Sequence, residues 1–341
     1  MDREKNVGIV GLGKMGIAHM AILNALDGVT VKAVAEKQKL IIKGVKSIMP
    51  AVNTYNDYQE LLDSEALDAV YITAPTSLHA KMAEDCLKRG INIFIEKPLG
   101  VSAKDTRHLV ELVRDNEVIT MVGYCKHFID TFRKAKSVLE SGILGKAIYF
   151  NSYMYISQLF SGGVGWRYKK ESSGGGVLNI LGTHLVDVLL WFFGDVASVT
   201  SAVKSHYSDE VEDFTHSYLT FKSGLAGSFD ASWSIRNYRL PEIKIEVQCE
   251  NGMLAATEDY VKYFIDSEDR FHLVREQDLY TGVDVYVGGP EYTREDAHFM
   301  QCVRDNGQPE IDLAYGYKVQ CVTDGMYESA EQCRTVEITE H

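Results

Sequence analysis

The sequence lacks an excess of positive charge. Its 35 lysine and arginine residues are outnumbered by 48 aspartate and glutamate residues, which gives a formal net charge of -13. Nucleic acids and anionic membranes bind proteins through basic surfaces that neutralise phosphates. We therefore expect no nucleic-acid partner and no membrane partner, and any phosphate that the protein binds must be held locally.

The patterns of metal centres and secreted or membrane proteins are also missing. The six cysteines form no CxxC pair and have no Cys/His spacing of the zinc type. No apolar run reaches the roughly 18 residues that span a bilayer, and the charged N-terminal residues lead directly into a strand. We expect no metal, reduced thiols and a cytoplasmic protein. There is no internal repeat and no low-complexity segment.

With 341 residues, the chain is longer than one hydrophobic core usually organises, so we predict two domains. In the first part, apolar strands at 7–10, 29–35, 69–73, 91–95 and 118–122 alternate with helical patterns, two of them at 79–88 and 103–114. This alternation predicts a parallel sheet. The expected first domain, residues 1–123, is a doubly wound α/β Rossmann domain.

After residue 123 the pattern changes. A helix is predicted at 130–139, followed by strand-like segments with short turns to about residue 290. Residues 147–157 alternate, which places Tyr149, Asn151, Tyr153 and Tyr155 on one face and apolar residues such as Ile148 on the other. The second domain, residues 124–341, is predicted to be α+β with a large mixed, mainly antiparallel sheet. Two helices close it, at 295–305 and 314–334, and the second is long enough to pack back across a domain.

A glycine-rich turn follows the first strand at residues 11–16, GLGKMG. Gly11 allows a tight turn, Gly13 lets a pyrophosphate approach the backbone, and Gly16 lets the helix pack closely on the strand. Glu36 lies 20 residues after Gly16, at the end of the second strand, where it is placed to bind a ribose 2′-hydroxyl. Together these features predict a dinucleotide site.

The residues that follow the second strand bear on the choice of cofactor. Glu36 repels a 2′-phosphate, so the sequence favours NAD over NADP. The neighbouring Lys37 could instead pair with that phosphate, and NADP stays open.

Four motifs together resemble the Gfo/Idh/MocA oxidoreductase family. They are the glycine turn, PTSLH at 75–79, EKP at 96–98, and GGG at 174–176 followed by GTHLVD at 182–187. They occur in order over most of the chain. The resemblance implies an NAD(P)-dependent oxidoreductase that transfers hydride between nicotinamide and a secondary hydroxyl or ketone of a sugar, a cyclitol or a sugar derivative.

The resemblance also implies a catalytic pair, Lys97 and His184. Removing hydride from an alcohol requires a base for its proton, and the reverse reaction requires a donor to the carbonyl oxygen. A histidine, with an unperturbed pKa of about 6.5, suits both directions. A desolvated Lys97 could also accept the proton, and the sequence does not decide between the two. By resemblance, Pro98 follows a cis peptide bond. The predicted cofactor-binding residues are Gly11, Gly13, Lys14, Met15, Gly16, Glu36, Lys37, Thr73, Pro75, His79, Glu96 and Lys97.

The chain departs from the family one helical turn before His184. Members commonly carry an aspartate there, whereas this chain has Ile180. Asn179 is adjacent, but in an α-helix it points to a different side. Asp187 shares a helix face with His184 and is expected to orient the imidazole, to hold a substrate hydroxyl, or to make a structural hydrogen bond. The predicted substrate-binding residues are Asp187, Arg167, Lys126, His127 and Asn179.

Two further features of the second domain allow predictions, the helix after the three glycines and the tyrosine face. The helix after the three glycines is expected to start with free backbone N–H groups that a ligand or the preceding loop can approach. The tyrosine face of 149–155 favours subunit association as a homodimer or homotetramer over sugar binding.

The alternative functions are an NAD-retaining glycoside hydrolase of the same fold and a non-catalytic, dinucleotide-binding regulatory protein.

Overall fold

A computed structural model describes residues 3–114, 116–275 and 289–339. Its helices are α1 (Lys14–Ala25), α2 (Lys39–Ile48), α3 (Tyr58–Ser64), α4 (His79–Leu87), α5 (Ala103–Arg114), α6 (Asp130–Glu140), α7 (Lys170–Ser173), α8 (Thr183–Phe193), α9 (Pro290–Asp305) and α10 (Leu313–Gln332). A π-helical stretch, Leu178–Gly182, leads into α8.

The strands form two sheets. They are β1 (Lys5–Val10), β2 (Val29–Ala35), β3 (Asn53–Tyr55), β4 (Ala69–Ile72), β5 (Asn92–Ile95), β6 (Thr120–Val122), β7 (Ala147–Tyr155), β8 (Val196–Lys204), β9 (Phe214–Phe221), β10 (Ala226–Ser232), β11 (Glu242–Cys249), β12 (Gly252–Thr257), β13 (Val261–Ile265), β14 (Arg270–Val274) and β15 (Val336–Glu337).

The first sheet is parallel, with the strand order β3-β2-β1-β4-β5-β6. This is the order of dinucleotide-binding folds, in which ligands bind beyond the carboxyl ends of the strands where the order reverses, here between β1 and β4. The central strands β4 and β5 are mostly buried because helices cover both faces of such a sheet. The predicted Rossmann sheet is confirmed.

The second sheet has nine strands in the order β14-β13-β12-β11-β7-β10-β9-β8-β15. Among the described strands of this second sheet, only β7 and β10 pair in parallel, so the predicted mixed, mainly antiparallel sheet is confirmed. Phe150, Ser152 and Met154 are buried, as the alternation along β7 requires, whereas Tyr149 is exposed. Ile148, predicted on the face opposite the tyrosines, is exposed, and the pairing with β11 shifts register at that residue.

The described residues divide into two compact units. The first consists of 3–100, 104–114, 116–125 and 289–317, and the second of 101–103, 126–275 and 318–339. The predicted division into 1–123 and 124–341 did not include α9 in the first unit. Apolar packing explains its place, because Phe299 of α9 contacts the rings of Tyr71 and Phe94. Helix α10 begins in the first unit and continues into the second.

In the part of the chain that the structure describes, one helical stretch, Lys170–Phe193, is apolar and long enough to cross a membrane, but 78% of its apolar window is buried. A core helix of a globular protein passes the same test, and α8 is such a helix: the eight residues Thr183–Leu190 are all buried.

Candidate active site

The glycine turn of the first unit is built by two close contacts. Gly11 has a φ of +91°, and a Cβ there would lie 2.9 Å from the backbone of Ala74. A Cβ on Gly16 would lie 2.0 Å from the carbonyl oxygen of Gly11, so any larger residue at either position would displace the turn. Thr73 donates its hydroxyl to the carbonyl oxygens of Val10 and Gly11 and holds the turn against β4.

Gly13 differs from the other two glycines. A Cβ at this position would meet no atom within 4 Å, and Gly13 is the N-cap of α1 without a side-chain capping hydrogen bond. The first backbone N–H groups of a helix, together with the helix dipole, favour an anion. Lys14 is exposed and Met15 half-buried beside this helix start. The turn therefore has the open space and the donors that a pyrophosphate requires.

Glu36 lies at the end of β2 beside the glycine turn. Its carboxylate accepts hydrogen bonds from the backbone N–H of Leu12, at 2.7 Å, and of Gln38, at 2.8 Å. Lys37 is exposed. These residues fit NAD, which, when bound, supplies the hydride acceptor or donor: the turn would hold the pyrophosphate, and Glu36 the adenosine ribose.

Lys97 follows β5, and its turn is held from two sides. The backbone N–H of Lys97 donates to Oε2 of Glu96 at 3.1 Å, and the Lys97–Pro98 peptide bond is cis, as the resemblance implies. His79 lies with Nδ1 2.9 Å from the carbonyl oxygen of Pro98 and Nε2 2.8 Å from that of Ala74. Burial lowers the pKa of His79, although its contacts with these two carbonyl oxygens favour the protonated ring. The ring thus links the Lys97 turn to the segment after β4 that includes Pro75.

A buried ionic cluster that sequence analysis missed lies under Glu96. His19 of α1 contacts Asp296 through Nδ1, at 2.8 Å, and Glu96 through Nε2, at 3.1 Å. Burial alone would lower the pKa of His19, but Asp296 and Glu96 together hold it well above its ordinary value. The only signal in the sequence was a histidine on the buried face of α1, and Asp296 lies 277 positions away.

In the second unit, His184 lies in the first turn of α8 and is buried, with Asp187 three residues later and fully buried. Oδ1 of Asp187 lies 2.8 Å from Nε2 of His127. The ring of His127 also stacks on Trp191, with centroids 4.1 Å apart. The structure thus brings together two predicted substrate residues, Asp187 and His127.

The segment before His184 is π-helical, whereas the prediction assumed an α-helix. Ile180 and Asn179 lie in the π-helical stretch, where hydrogen bonds join residues five apart rather than four. A separation of five residues therefore does not place Asn179 on a different side of the helix from His184. The Asn179 side chain is fully buried, and its amide donates to the carbonyl oxygen of Ser173 at 2.7 Å.

The expectation of free N–H groups after the three glycines is wrong. Glu212, which sequence analysis did not identify, accepts hydrogen bonds from the backbone N–H of Gly176, at 2.7 Å, and of Leu178, at 2.9 Å. Tyr327 donates its hydroxyl to the same carboxylate at 2.7 Å. A Cβ on Gly175 would lie 2.0 Å from the Tyr327 hydroxyl, so these glycines allow close packing of protein atoms.

Two further predicted residues lie on the surface or in an ion pair. The Lys126 ammonium is 3.3 Å from the carboxylate of Glu258, whose pKa is raised by burial despite that cation. Arg167 is exposed, and its guanidinium lies 5.5 Å from the centre of the Trp166 ring. Among residues 3–114, 116–275 and 289–339, no group of three or more His, Cys, Asp or Glu side chains is arranged to hold a metal ion.

Lys97 belongs to the first unit and His184 to the second. Their roles, like those of the other predicted site residues, stay predictions.

Comparison with known proteins identifies the family. Residues 5–124 match the family model described as an oxidoreductase family with an NAD-binding Rossmann fold, and residues 132–255 match the model of the GFO/IDH/MocA C-terminal domain. Levoglucosan dehydrogenase of Pseudarthrobacter phenanthrenivorans is 22% identical, over 98% of this chain and 98% of that protein. The scyllo-inositol 2-dehydrogenase (NAD(+)) of Bacillus subtilis is 25% identical, over 94% of this chain and 93% of that protein.

Solved structures share the fold. A levoglucosan dehydrogenase in complex with NADH and L-sorbose superimposes with a TM-score of 0.89 at 22% identity, covering 99% of this chain and 100% of that one. Both matched domains and the geometry of the glycine turn agree, and the chain belongs to the GFO/IDH/MocA family of NAD-binding oxidoreductases.

Proposed function

We propose that the protein is an NAD(P)-dependent dehydrogenase or reductase that acts on a secondary hydroxyl or ketone of a sugar, a cyclitol or a sugar derivative. The observation that carries the proposal is the first unit itself. It holds an open glycine turn after β1 and a lysine after β5, both at the carboxyl edge of one parallel sheet. Relatives named for levoglucosan, scyllo-inositol and D-xylose support the substrate class.

In this proposal Lys97 and His184 handle the proton of the substrate oxygen. The ammonium of Lys97 stabilises alkoxide character, and the imidazole of His184 accepts the proton during oxidation and returns it during reduction. Either group is chemically able to be the acceptor, and a pH–rate profile with both single variants separates them.

We rank the substrate residues by what else they bind. Asn179 already donates to Ser173, and Lys126 pairs with Glu258, so their polar groups are partly engaged. Arg167 is exposed, and we propose it as a substrate contact. The buried pair His127 and Asp187 is proposed to hold the wall of the substrate pocket beside His184.

The proposal is tested by following NADH absorbance over polyols, inositols, aldoses and nucleotide sugars. Lys97→Ala and His184→Ala are expected to lose turnover while still binding cofactor. Lys88→Ala and His108→Ala are matched controls, because both side chains are exposed, Lys88 at the end of α4 and His108 on α5. Full activity of both site variants would refute the assignment.

Both cofactors occur among relatives, one named for NAD(+) and another, D-xylose 1-dehydrogenase (NADP(+)) 2 of Haloferax volcanii, for NADP(+). Because Glu36 adjoins the glycine turn, we propose NAD as the preferred cofactor.

We also propose a cytoplasmic homodimer or homotetramer associated through the second sheet. Tyr149 of β7 and Tyr218 of β9 are half exposed, at 49% and 55%, and apolar area of this kind is typical of interfaces. Light scattering of the purified protein and of Tyr149→Lys tests it: a lower mass of the variant supports association through this face, and an unchanged mass opposes it.

A further inference from the structure

Both ring nitrogens of His19 are bound by carboxylates from different elements. Asp296 of α9 contacts Nδ1, and Glu96 at the end of β5 contacts Nε2. The ring is fully buried and packs against Tyr71 and Phe94, with centroids 5.5 and 5.0 Å away. Because both partners of the ring are carboxylates, His19 donates to them from both nitrogens and is held as an imidazolium.

The same Glu96 carboxylate reaches the Lys97 turn. Oε1 contacts His19, and Oε2 accepts the backbone N–H of Lys97. An unbroken line of hydrogen bonds therefore runs from Asp296 through His19 and Glu96 to the main chain of Lys97. It begins on α9, crosses the helix that follows the glycine turn, and ends at the residue proposed for proton transfer.

We propose that His19 is a positioning residue that fixes the Glu96 carboxylate and, through it, the Lys97 turn relative to the cofactor helix α1. The inference rests on the proposed function, in which Lys97 touches the reacting oxygen. It adds a requirement that the glycine turn and the EKP motif do not show by themselves: a cation must contact the Glu96 carboxylate.

The charge of His19 matters because Glu96 is buried. Burial would raise the pKa of Glu96, but the hydrogen bond to His19 and the positive charges of His19 and Lys97 keep it below its ordinary value. An ionised Glu96 accepts the Lys97 N–H more strongly than a neutral carboxyl and also stabilises the neighbouring ammonium. Loss of the imidazolium weakens both effects without removing any group that touches cofactor or substrate.

The test uses His19→Gln, which keeps a polar side chain of similar length without the charge. We expect kcat, on the substrate found in the NADH screen, to fall on the order of 10- to 100-fold, because a small displacement of a catalytic group has that effect. NADH affinity, measured by fluorescence, is expected to change by no more than about threefold, because the substitution removes no group that touches the cofactor. Acetic anhydride is expected to label Lys97 faster, as read by peptide mass spectrometry.

Asp85→Asn is the matched control. Asp85 is a buried carboxylate of the same unit that binds Tyr58, Gln59 and Lys81, and no described hydrogen bond links it to Lys97. It is expected to lower thermal stability and to leave kcat and Lys97 labelling unchanged. Should His19→Gln fail to fold, Asp296→Asn retains the contact of His19 with Glu96 and is expected to shift both readouts in the same direction by less.

The possible results are distinct. Unchanged labelling and unchanged kcat in His19→Gln would overturn the inference, as would an equal loss of kcat in Asp85→Asn. Faster labelling of Lys97 with full turnover would support the positioning role of His19 and instead refute the catalytic assignment of Lys97.

Discussion

His127 and Asp187 form a buried pair in the second unit, with Nε2 and Oδ1 2.8 Å apart. Asp187 lies three residues after His184 on α8, and His127 lies 60 positions earlier in the chain. Sequence spacing left three roles open for Asp187: to orient His184, to hold a substrate hydroxyl, or to make a structural hydrogen bond. The structure shows that its carboxylate binds a second histidine, which in turn stacks on Trp191.

Asp187→Asn is expected to reduce the stability of the protein by about 1–3 kcal/mol, because a buried donor loses its charged acceptor. Asp63→Asn removes the acid of the exposed pair of Arg89 and Asp63, and we expect a cost below about 1 kcal/mol. Chemical denaturation of both variants gives the comparison. Equal losses would show that burial of the first pair has no consequence.

Gly13→Ala and Gly16→Ala are expected to fail in different ways. A Cβ on Gly13 meets no protein atom, so stability should stay within about 0.5 kcal/mol of the parent, whereas NADH affinity falls at least about tenfold. A Cβ on Gly16 meets the Gly11 carbonyl oxygen and should cost about 1–3 kcal/mol of stability. Thermal unfolding and NADH titration separate the two effects, and normal NADH binding by Gly13→Ala would contradict the pyrophosphate assignment.

Glu36→Gln is expected to raise the ratio of kcat/KM for NADPH to that for NADH by about tenfold, since the charge that repels a 2′-phosphate is gone. Glu84→Gln serves as the control, because Glu84 pairs with Lys88 on α4. Lys37→Ala in the Glu36→Gln background tests whether Lys37 then binds the phosphate. An unchanged ratio in Glu36→Gln would remove the basis for the NAD preference.

The buried His19 cluster predicts a pH-dependent stability. The groups that face His19 are Asp296 on α9, Glu96 after β5 and Tyr71 on β4. Because its pKa is raised in the folded protein, His19 contributes its full stabilisation below its unfolded pKa of about 6.5 and loses it as the pH rises through the folded value. His19→Gln should therefore cost most near pH 6, on the order of 3–5 kcal/mol, and less near pH 9. Thermal unfolding at both pH values checks this.

At acidic pH the stability of the cluster depends on Glu96, because the pKa of Glu96 is lowered in the folded protein. Its contribution is present above its unfolded pKa of about 4.3 and is lost as the pH falls through the folded value. His108→Gln, at an exposed position of α5, is the control and should show no comparable difference between pH 6 and pH 9. A cost of His19→Gln that grows from pH 6 to pH 9 would contradict an imidazolium at this position.

Local patterns were sufficient for most of the fold. The run 29–35 predicted β2 at the observed bounds, and the alternation along β7 predicted its two faces except at Ile148. The glycine turn and the EKP motif predicted the cofactor half of the candidate site, and the structure places both at the carboxyl edge of the first sheet. The π-helical stretch before His184 was not predictable in this way, because an apolar segment such as Leu178–Gly182 is compatible with several helical spacings.

The sequence by itself determined the alternation of strands and helices, the glycine turn and the acidic residue after β2, because each depends on side chains that are close in the chain. Tertiary structure alone decided that Asp296 binds His19 across 277 positions and that Glu212 caps the helix after the three glycines. The physical reason is that a buried charge or N–H group is satisfied by whatever partner the packing of distant elements brings within about 3 Å.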